Sequence, residues 1–340
     1  MAERSDDDDQ NQFGTAGNLK FAAVAIGRNE GERLKRCIES LSAAAKIVYV
    51  DSGSTDGSVH WARQHGVDVI ELDMSVPFTA ARARNAGFRR LREVAPHLGY
   101  VQFIDGDCDL DRRWPEQAIA YLDAHADICA VCGRRRERFP EKSVYNWLCD
   151  VEWNVPPGEV RAFFGDAMIR ATALEGVGGY RDDLIAGEEP ELCVRLRAAG
   201  WRIWRLPSEM TLHDAAMMHF GQWWQRILRS GFAFAQGAYL HGAPPERHFV
   251  WESRRAQLWG LWLPFLCLVA TLALWPWGVL AWLLYPLQIV RQSLRNAGSP
   301  PERATLAFFQ VLGRFAEAIG QIKFHLNRLF GRQVSLIEYK

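Results

Sequence analysis

Two carboxylates separated by a single glycine occur at Asp105-Gly106-Asp107, directly after the apolar run of residues 100–104. Glycine lets the chain turn sharply, so both carboxylates can face one cleft. Hard oxygen ligands suit Mg²⁺ or Mn²⁺, and such ions commonly bridge protein carboxylates to phosphates. An Asp-x-Asp pair also occurs in ordinary solvated turns, but its position after an apolar strand favours a metal site that binds a phosphorylated ligand.

Two further polar clusters follow apolar runs. Asn29 and Glu30 come just after residues 21–26, and Asp51 follows residues 47–50 at the start of a Ser-Gly-Ser-Thr-Asp-Gly segment. A carboxylate in such a position can accept hydrogen bonds from a ribose or from a base edge. An ordinary capped turn is the alternative for Asp51.

The elements that must position these residues alternate between strand and helix. Strands are predicted at residues 21–26, 47–50, 67–72, 100–104 and 127–131, with helices at 29–42, 54–65, 79–94, 115–124 and 189–200. This order predicts an α/β fold with a mostly parallel central sheet and helices on both faces. Ligands of such sheets bind at the carboxyl ends of the strands, where the polar clusters fall.

Four segments together resemble the ordered motifs of family 2 glycosyltransferases. They are residues 26–30, 50–57, 83–87 and 103–107. The resemblance implies the GT-A nucleotide-diphospho-sugar transferase fold over residues 19–240, and a donor site formed by Asn29, Glu30, Asp51, Arg84 and Asp105. The second motif usually has two acids. Ser52 replaces the second one here, which leaves Asp51 as the residue expected to contact the base or the ribose of the donor.

The resemblance extends to Gly187-Glu188-Glu189-Pro190-Glu191-Leu192. It implies that Glu189 is the catalytic base, with Glu188 as the alternative, whereas an acidic helix start without catalytic function is the competing interpretation. It also implies that His213 completes the metal site of Asp107 and Asp105. Such a base would take the proton of the acceptor hydroxyl in a single displacement with inversion.

Composition gives no indication of a nucleic-acid partner or of a disulfide framework. Forty Lys and Arg residues balance forty Asp and Glu residues, so the net charge gives no reason to expect nucleic-acid binding. Seven irregularly spaced cysteines indicate reduced thiols rather than a disulfide framework, and the single pair Cys129 and Cys132 favours a strand over a zinc or redox site. Residues 1–18 are polar and acidic, which predicts a disordered tail.

The C-terminal part differs from the rest in hydropathy. Residues 256–290 contain no charge, and Arg254, Arg255 and Arg291 flank them. Arginines at both ends favour a hydrophobic membrane hairpin over a single span, with both ends on the cytoplasmic side. A buried helical pair in a soluble domain is the third interpretation. Residues 302–330 have apolar residues at helical spacing, which predicts an amphipathic helix on anionic lipid.

These features predict a metal-dependent inverting glycosyltransferase at the cytoplasmic face of the cell membrane. Its cofactor would be Mg²⁺ or Mn²⁺. Its partners would be a nucleotide-sugar donor and a lipid-linked or cell-envelope glycan acceptor, and Arg226 and Arg229 are candidates to face a phosphate of the acceptor. The alternatives are a nucleotidyltransferase and a catalytically inactive, membrane-anchored sugar-binding scaffold.

Overall fold

The computed structural model describes residues 21–331. Its sheet begins with β1 (Phe21–Gly27), β2 (Lys46–Asp51), β3 (Asp68–Glu71) and β4 (Tyr100–Asp105). These strands are parallel in the order β3-β2-β1-β4. β1 and β4 are buried along nearly their whole length, which explains their unbroken apolar sequences. The carboxyl ends of all four strands lie at one edge, so the polar loops after them converge there.

Three helices connect these strands: α1 (Glu32–Ser40), α2 (Ser58–Gln64) and α3 (Ala80–Val94). Thr79 caps the start of α3, because its side-chain oxygen accepts the Arg82 N–H at 3.1 Å. Gly87 is required by close packing of α3 on the sheet, since a Cβ atom there would lie 2.4 Å from Val24. This contact fixes the face of α3 that bears Arg84.

The second half of the sheet is mixed in direction. It comprises β5 (Cys108–Leu110), β6 (Ile128–Glu137), β7 (Gly158–Glu159), β8 (Ala167–Arg170) and β9 (Arg202–His213). The full order is β3-β2-β1-β4-β8-β6-β9-β5, with β7 beside β9. β8 is antiparallel to both β4 and β6, whereas β6 and β9 are parallel. The predicted α/β fold is confirmed, but the parallel order dominates only its first half.

The strands β6 and β9 are long, and β6 differs from the prediction. β6 does not stop at Val131 but continues to Glu137, so most of the basic run of residues 134–138 lies in the sheet. β9 runs unbroken past Pro207 to His213. Pairing between β6 and β9 places Glu137 opposite His213, and this long-range contact extends both strands beyond their apolar segments.

Four helices cover the second half of the sheet: α4 (Trp114–Ala124), α5 (Val144–Glu152), α6 (Ala171–Gly176) and α7 (Glu188–Ala198). All seven cysteines are buried free thiols. Cys129 and Cys132 are three residues apart in β6, so their side chains point to opposite faces of the strand. They therefore do not form a pair of metal ligands.

The C-terminal part is helical. It comprises α8 (Phe220–His241), α9 (Val250–Gln257), α10 (Leu263–Ala273), α11 (Leu284–Ser293) and α12 (Pro300–Leu329). α12 packs on α8 through small residues: a Cβ atom on Gly231 or on Gly320 would lie 2.1 Å from a carbonyl oxygen of the other helix. Ile319, Ile322 and Leu326 of the predicted apolar stripe remain substantially exposed.

Residues 258–293 form a helical hairpin that reverses direction at residues 274–277. Its two limbs are joined by a hydrogen bond from Trp282 Nε1 to Thr271 Oγ1 at 3.1 Å and another from Tyr285 OH to the Trp259 carbonyl at 2.8 Å. Trp275 and Trp277 at the tip are about three-quarters exposed. Among the described residues, one continuous helix, Val250–Ala273, is long and apolar enough to cross a membrane.

Candidate active site

The loops after β1 and β2 support each other. Asn29 Oδ1 accepts the Thr55 N–H at 2.7 Å, and its own N–H donates to Ser54 Oγ at 2.9 Å. The Asp51 carboxylate accepts hydrogen bonds from Tyr49 OH at 2.8 Å and from the N–H groups of Gly53 and Ser54 at 2.9 and 2.8 Å. Asp51 is buried and orders this loop.

A cleft of about 1000 Å³ opens at the carboxyl edge of the sheet. Of the residues predicted to bind the donor, Asn29, Glu30, Arg84 and Asp105 line it, whereas Asp51 is absent from its lining. The structure thus brings four of the five to one surface. It places Asp51 beneath that surface, where its carboxylate already accepts three hydrogen bonds.

The two carboxylates of the Asp-Gly-Asp motif have different surroundings. Gly106 turns the chain close to β1, and its N–H donates to the Ile26 carbonyl at 2.7 Å. Asp105 lies between two guanidinium groups, with Oδ1 2.9 Å from Arg84 and Oδ2 3.3 Å from Arg135. Asp107 instead faces His213, whose Nε2 lies 3.3 Å from Asp107 Oδ2. The two carboxylates of the motif therefore differ: Asp105 is bound by arginines, and Asp107 lies beside a histidine.

Arg84 links three acidic residues from separate parts of the chain. Its guanidinium lies 2.9 Å from Asp105 and from Glu188, and 3.0 Å from Glu189. Although burial opposes the charged form, these carboxylates raise the pKa of Arg84, so it remains a cation. Arg84 thereby ties the end of β4 to the start of α7.

Glu188 and Glu189 begin α7, where the helix dipole favours negative charge. Gly187 adopts φ +76°, which a residue with a side chain rarely does, and this turn directs the helix start into the cleft. Glu189 Oε1 accepts the Gly165 N–H at 3.2 Å. Burial, with the neighbouring Glu188 charge, raises the pKa of Glu189 to about 7, although Arg84 acts in the opposite direction. Such a carboxyl can accept a proton near neutral pH.

Three functional candidates were not found from the sequence: Asp166, Arg135 and Glu137. Asp166 is fully buried and accepts the Asp105 N–H at 3.0 Å and the Thr211 hydroxyl at 2.7 Å. Arg135 lies over the Trp153 ring at 4.9 Å. No sequence signal marked them: Asp166 precedes β8, which was not predicted, and Arg135 and Glu137 lie beyond residue 131, where the strand was predicted to end.

A divalent cation fits the residues around Asp107. The possible ligand atoms of Asp107, Cys108 and His213 lie within 4.8 Å of one another, and so do those of Asp105, Cys108 and Asp166. Burial, with Arg135 nearby, lowers the pKa of His213, so its ring is neutral and can be a ligand.

Asp107 and His213 are the best ligands in this cluster. Their 3.3 Å separation is close to the roughly 3 Å between adjacent ligands of an octahedral ion. Cys108 lies in the same cluster, but burial raises the pKa of its thiol well above the usual value, so it stays protonated. The arginine contacts of Asp105 leave it a secondary candidate.

The mixed α/β sheet has the fold of the GT-A glycosyltransferases. The sequence model "Glycosyl transferase family 2" matches residues 24–170, which confirms the resemblance seen in the motifs. The chain is 27% identical over 232 residues to a pre-mycofactocin glycosyltransferase of Mycobacterium tuberculosis; the match covers 65% of this chain and 47% of that protein. It is 28% identical over 184 residues to an uncharacterised glycosyltransferase of Mycobacterium bovis, with 52% and 78% covered.

The fold is also similar to that of a mannosyltransferase from Pyrobaculum calidifontis, solved with GDP-mannose and Mn²⁺. The TM-score is 0.54 at 19% identity, and the match covers 92% of this chain and 88% of that one. This likeness supports the GT-A fold. The chain spans about half the length of the first curated relative. The family match and the curated relatives favour a glycosyltransferase over the nucleotidyltransferase alternative.

Proposed function

We propose that the protein is a metal-dependent inverting glycosyltransferase that uses a nucleotide-diphosphate sugar. The observation that carries the proposal is the placement of Glu189 in the same cleft as Asp105, Asp107 and His213, with Glu189 and Asp105 both in contact with Nη2 of Arg84. A base and a diphosphate-binding motif that line the same cleft can act together on one sugar carbon, as a single displacement requires.

The residues then have distinct functions. Glu189 takes the proton of the acceptor hydroxyl as its oxygen attacks the anomeric carbon and the bond to the diphosphate breaks. One displacement of this kind inverts the configuration. A divalent cation, when held by Asp107 and His213, would neutralise charge on the departing diphosphate. Arg84 and Arg135 hold Asp105, and both line the cleft as further cations for the phosphates. The Mn²⁺ bound by the Pyrobaculum enzyme supports this cofactor class.

Donor hydrolysis tests the proposal without knowledge of the acceptor. Purified protein is incubated with UDP-, GDP- and dTDP-sugars and Mn²⁺, with and without EDTA, and release of nucleoside diphosphate is measured. We expect at least one donor to be hydrolysed only when metal is present. Turnover that EDTA leaves unchanged would contradict the metal dependence. Absence of hydrolysis and of donor-induced thermal stabilisation would favour the inactive scaffold.

The acceptor is proposed to be a lipid-linked or cell-envelope glycan. The cleft continues past the start of α7 to Arg229 and Phe234 of α8 and to Phe249 before α9. The turn at Gly187 is next to this end, since a Cβ atom there would lie 3.6 Å from the Phe249 ring. The candidate base is therefore beside the helices that lead into the hydrophobic hairpin, where an acceptor at a membrane surface would arrive.

The hairpin is proposed to insert into the cell membrane, with the catalytic domain on the cytoplasmic side. At about 1.5 Å per residue, residues 258–273 extend about 24 Å, which is less than the roughly 30 Å of a bilayer core. Arg254, Arg255 and Arg291 lie at its base, where they can contact anionic headgroups. The reversal at residues 274–277 returns the chain to the side from which it entered.

This topology predicts that tags at residues 1 and 340 lie on the same side of the membrane. In sealed inside-out vesicles, both tags should be digested by added protease, because the cytoplasmic face is then outside. In right-side-out vesicles, both should be protected until detergent is added. Tags on opposite sides would replace the hairpin with a single span. Full-length protein that stays in the supernatant without detergent would contradict membrane association.

A further inference from the structure

The side chain of Glu137 is completely buried at the end of β6. In the β6–β9 pairing it is the direct partner of His213. Three segments therefore bring three residues together: Asp107 precedes β5, His213 ends β9 and Glu137 ends β6. His213 lies between the two acidic residues, with one ring nitrogen toward each.

Three donors fix the Glu137 carboxylate. Its Oε2 accepts the Ala215 N–H at 3.0 Å, and its Oε1 accepts the Phe139 N–H and the Asn146 amide, both at 3.2 Å. None of these donors is charged. Burial of a carboxylate is costly, and neutral donors compensate it less well than a cation does. Stability alone is therefore a weak reason for an acid at this position.

The geometry at His213 supplies a functional reason. Its Nδ1 atom is buried, makes no hydrogen bond in the described structure, and lies 3.4 Å from Glu137 Oε2. A small tilt of the ring would close this contact to hydrogen-bond length. The edge-on contact with Trp153, at 4.8 Å between ring centres, restricts other movements of the ring. A proton on Nδ1 would point to Glu137, which leaves the Nε2 lone pair directed toward Asp107.

We propose that Glu137 is a positioning residue that selects the Nδ1–H tautomer of His213 and thereby presents Nε2 to a divalent cation. Carboxylates that accept the second N–H of a metal-binding histidine orient the ring and raise its basicity. The inference rests on the proposed metal-dependent function, but it concerns a residue that does not itself touch the metal, the donor or the acceptor.

Metal affinity and tautomer state test the proposal independently of turnover. In the Glu137→Gln variant, the affinity for Mn²⁺, measured by electron paramagnetic resonance on metal-free protein, should fall about 10- to 100-fold. Nitrogen-15 NMR of metal-free protein should show the Nδ1–H tautomer of His213 in the wild type. The Glu137→Gln spectrum should show a loss of that tautomer, which a purely structural role would not cause.

Two further variants separate positioning from folding. Glu137→Asp keeps the charge but withdraws the carboxylate from His213 by one methylene. It should therefore lose the preference for the Nδ1–H tautomer. This variant tests the proposal even where Glu137→Gln fails to fold. Glu209→Gln removes the charge of an ion pair with Arg136, the residue before Glu137, without touching Glu137 or His213. It should leave both the His213 tautomer and the Mn²⁺ affinity unchanged.

The outcomes distinguish this inference from the proposed function. Folded Glu137→Gln protein with wild-type Mn²⁺ affinity and an unchanged His213 tautomer would overturn the positioning role. Wild-type protein that binds no Mn²⁺ would contradict the metal dependence itself. In that event the NMR comparison would still decide whether Glu137 controls the ring.

Discussion

Replacement of Asp107 by asparagine is expected to lower kcat for sugar transfer about a thousandfold at saturating donor and Mn²⁺. The change removes an anionic ligand but keeps the shape of the side chain. A metal ion supplies several kcal/mol of stabilisation to a departing phosphate, and about 4 kcal/mol corresponds to this loss. Asp107 is nearly fully buried beside His213, so water cannot compensate for the lost anionic ligand. Steady-state kinetics with titrated Mn²⁺ measure the effect.

A matched control is available four residues further along. Asp111 accepts the N–H of Arg113 at 2.9 Å and is not part of the cleft lining. Asparagine can accept the same hydrogen bond, so Asp111→Asn should retain wild-type kcat. Near-wild-type turnover by the Asp107 variant, with saturating donor and metal, would show that the metal is not held there. Equal melting temperatures of the two variants would exclude unfolding as the cause.

The part of the site that could be predicted from sequence is the part that follows from the alternation of strands and helices. Asn29, Glu30 and Asp105 lie at the ends of apolar runs in that alternation, which predicts parallel strands with their carboxyl ends at one edge, so their convergence could be predicted even though β1 and β4 are far apart in sequence. The position of Asp51 could be predicted, but not its contacts. Its three hydrogen bonds come from residues within three positions of it, and no pattern shows whether an acid orders its own loop or contacts a ligand.

The remainder depends on strand pairings that the alternation of strands and helices does not predict. Asp166 reaches Asp105 because β8 runs antiparallel beside β4, about sixty residues away in sequence. Glu137 reaches His213 only through the register of β6 and β9, which contains bulges. The predicted strand ended at residue 131, before the basic run of residues 134–138, so Glu137 was not expected in the sheet.

The C-terminal helices show a second limit of sequence patterns. Residues 302–330 have apolar residues at helical spacing, which indicates an apolar face but not what covers it. In the structure, α12 contacts α8 through Gly320 and other small residues, because these let the two backbones approach closely. The larger Ile319 and Leu326 are left substantially exposed. Helical periodicity describes both faces equally well and cannot distinguish a lipid-facing stripe from a helix–helix contact.

Replacement of Glu189 by glutamine is expected to lower kcat by about 10²- to 10⁴-fold with little change in donor KM, the range that proton transfer by a positioned base contributes. The base acts on the acceptor during the chemical step, so donor binding should be almost unaffected. Glutamine preserves the size of the side chain and can still accept the Gly165 N–H. The retained donor affinity, measured by calorimetry, would show that the site is intact.

Two carboxylates of the same helix provide comparisons. Glu188→Gln tests the alternative base. If it lowers kcat more than Glu189→Gln does, the catalytic base is Glu188. Glu191 is equally buried, but it pairs with Arg195 at 2.8 Å and with His241 at 3.0 Å, away from the cleft. Glu191→Gln should therefore lower stability while the kcat of the folded protein is retained.

The pH dependence of kcat gives the most direct test of the base. The pKa of Glu189 is raised to about 7, chiefly by burial, and the carboxyl accepts a proton only when it is ionised. In the wild type, kcat should therefore fall tenfold per unit as the pH drops below about 7 and level off above it. In Glu189→Gln this limb should disappear, because glutamine does not titrate. A variant that is slow but keeps the wild-type pH profile would place the titrating base on another residue, because Glu189 would then affect the rate without carrying the proton.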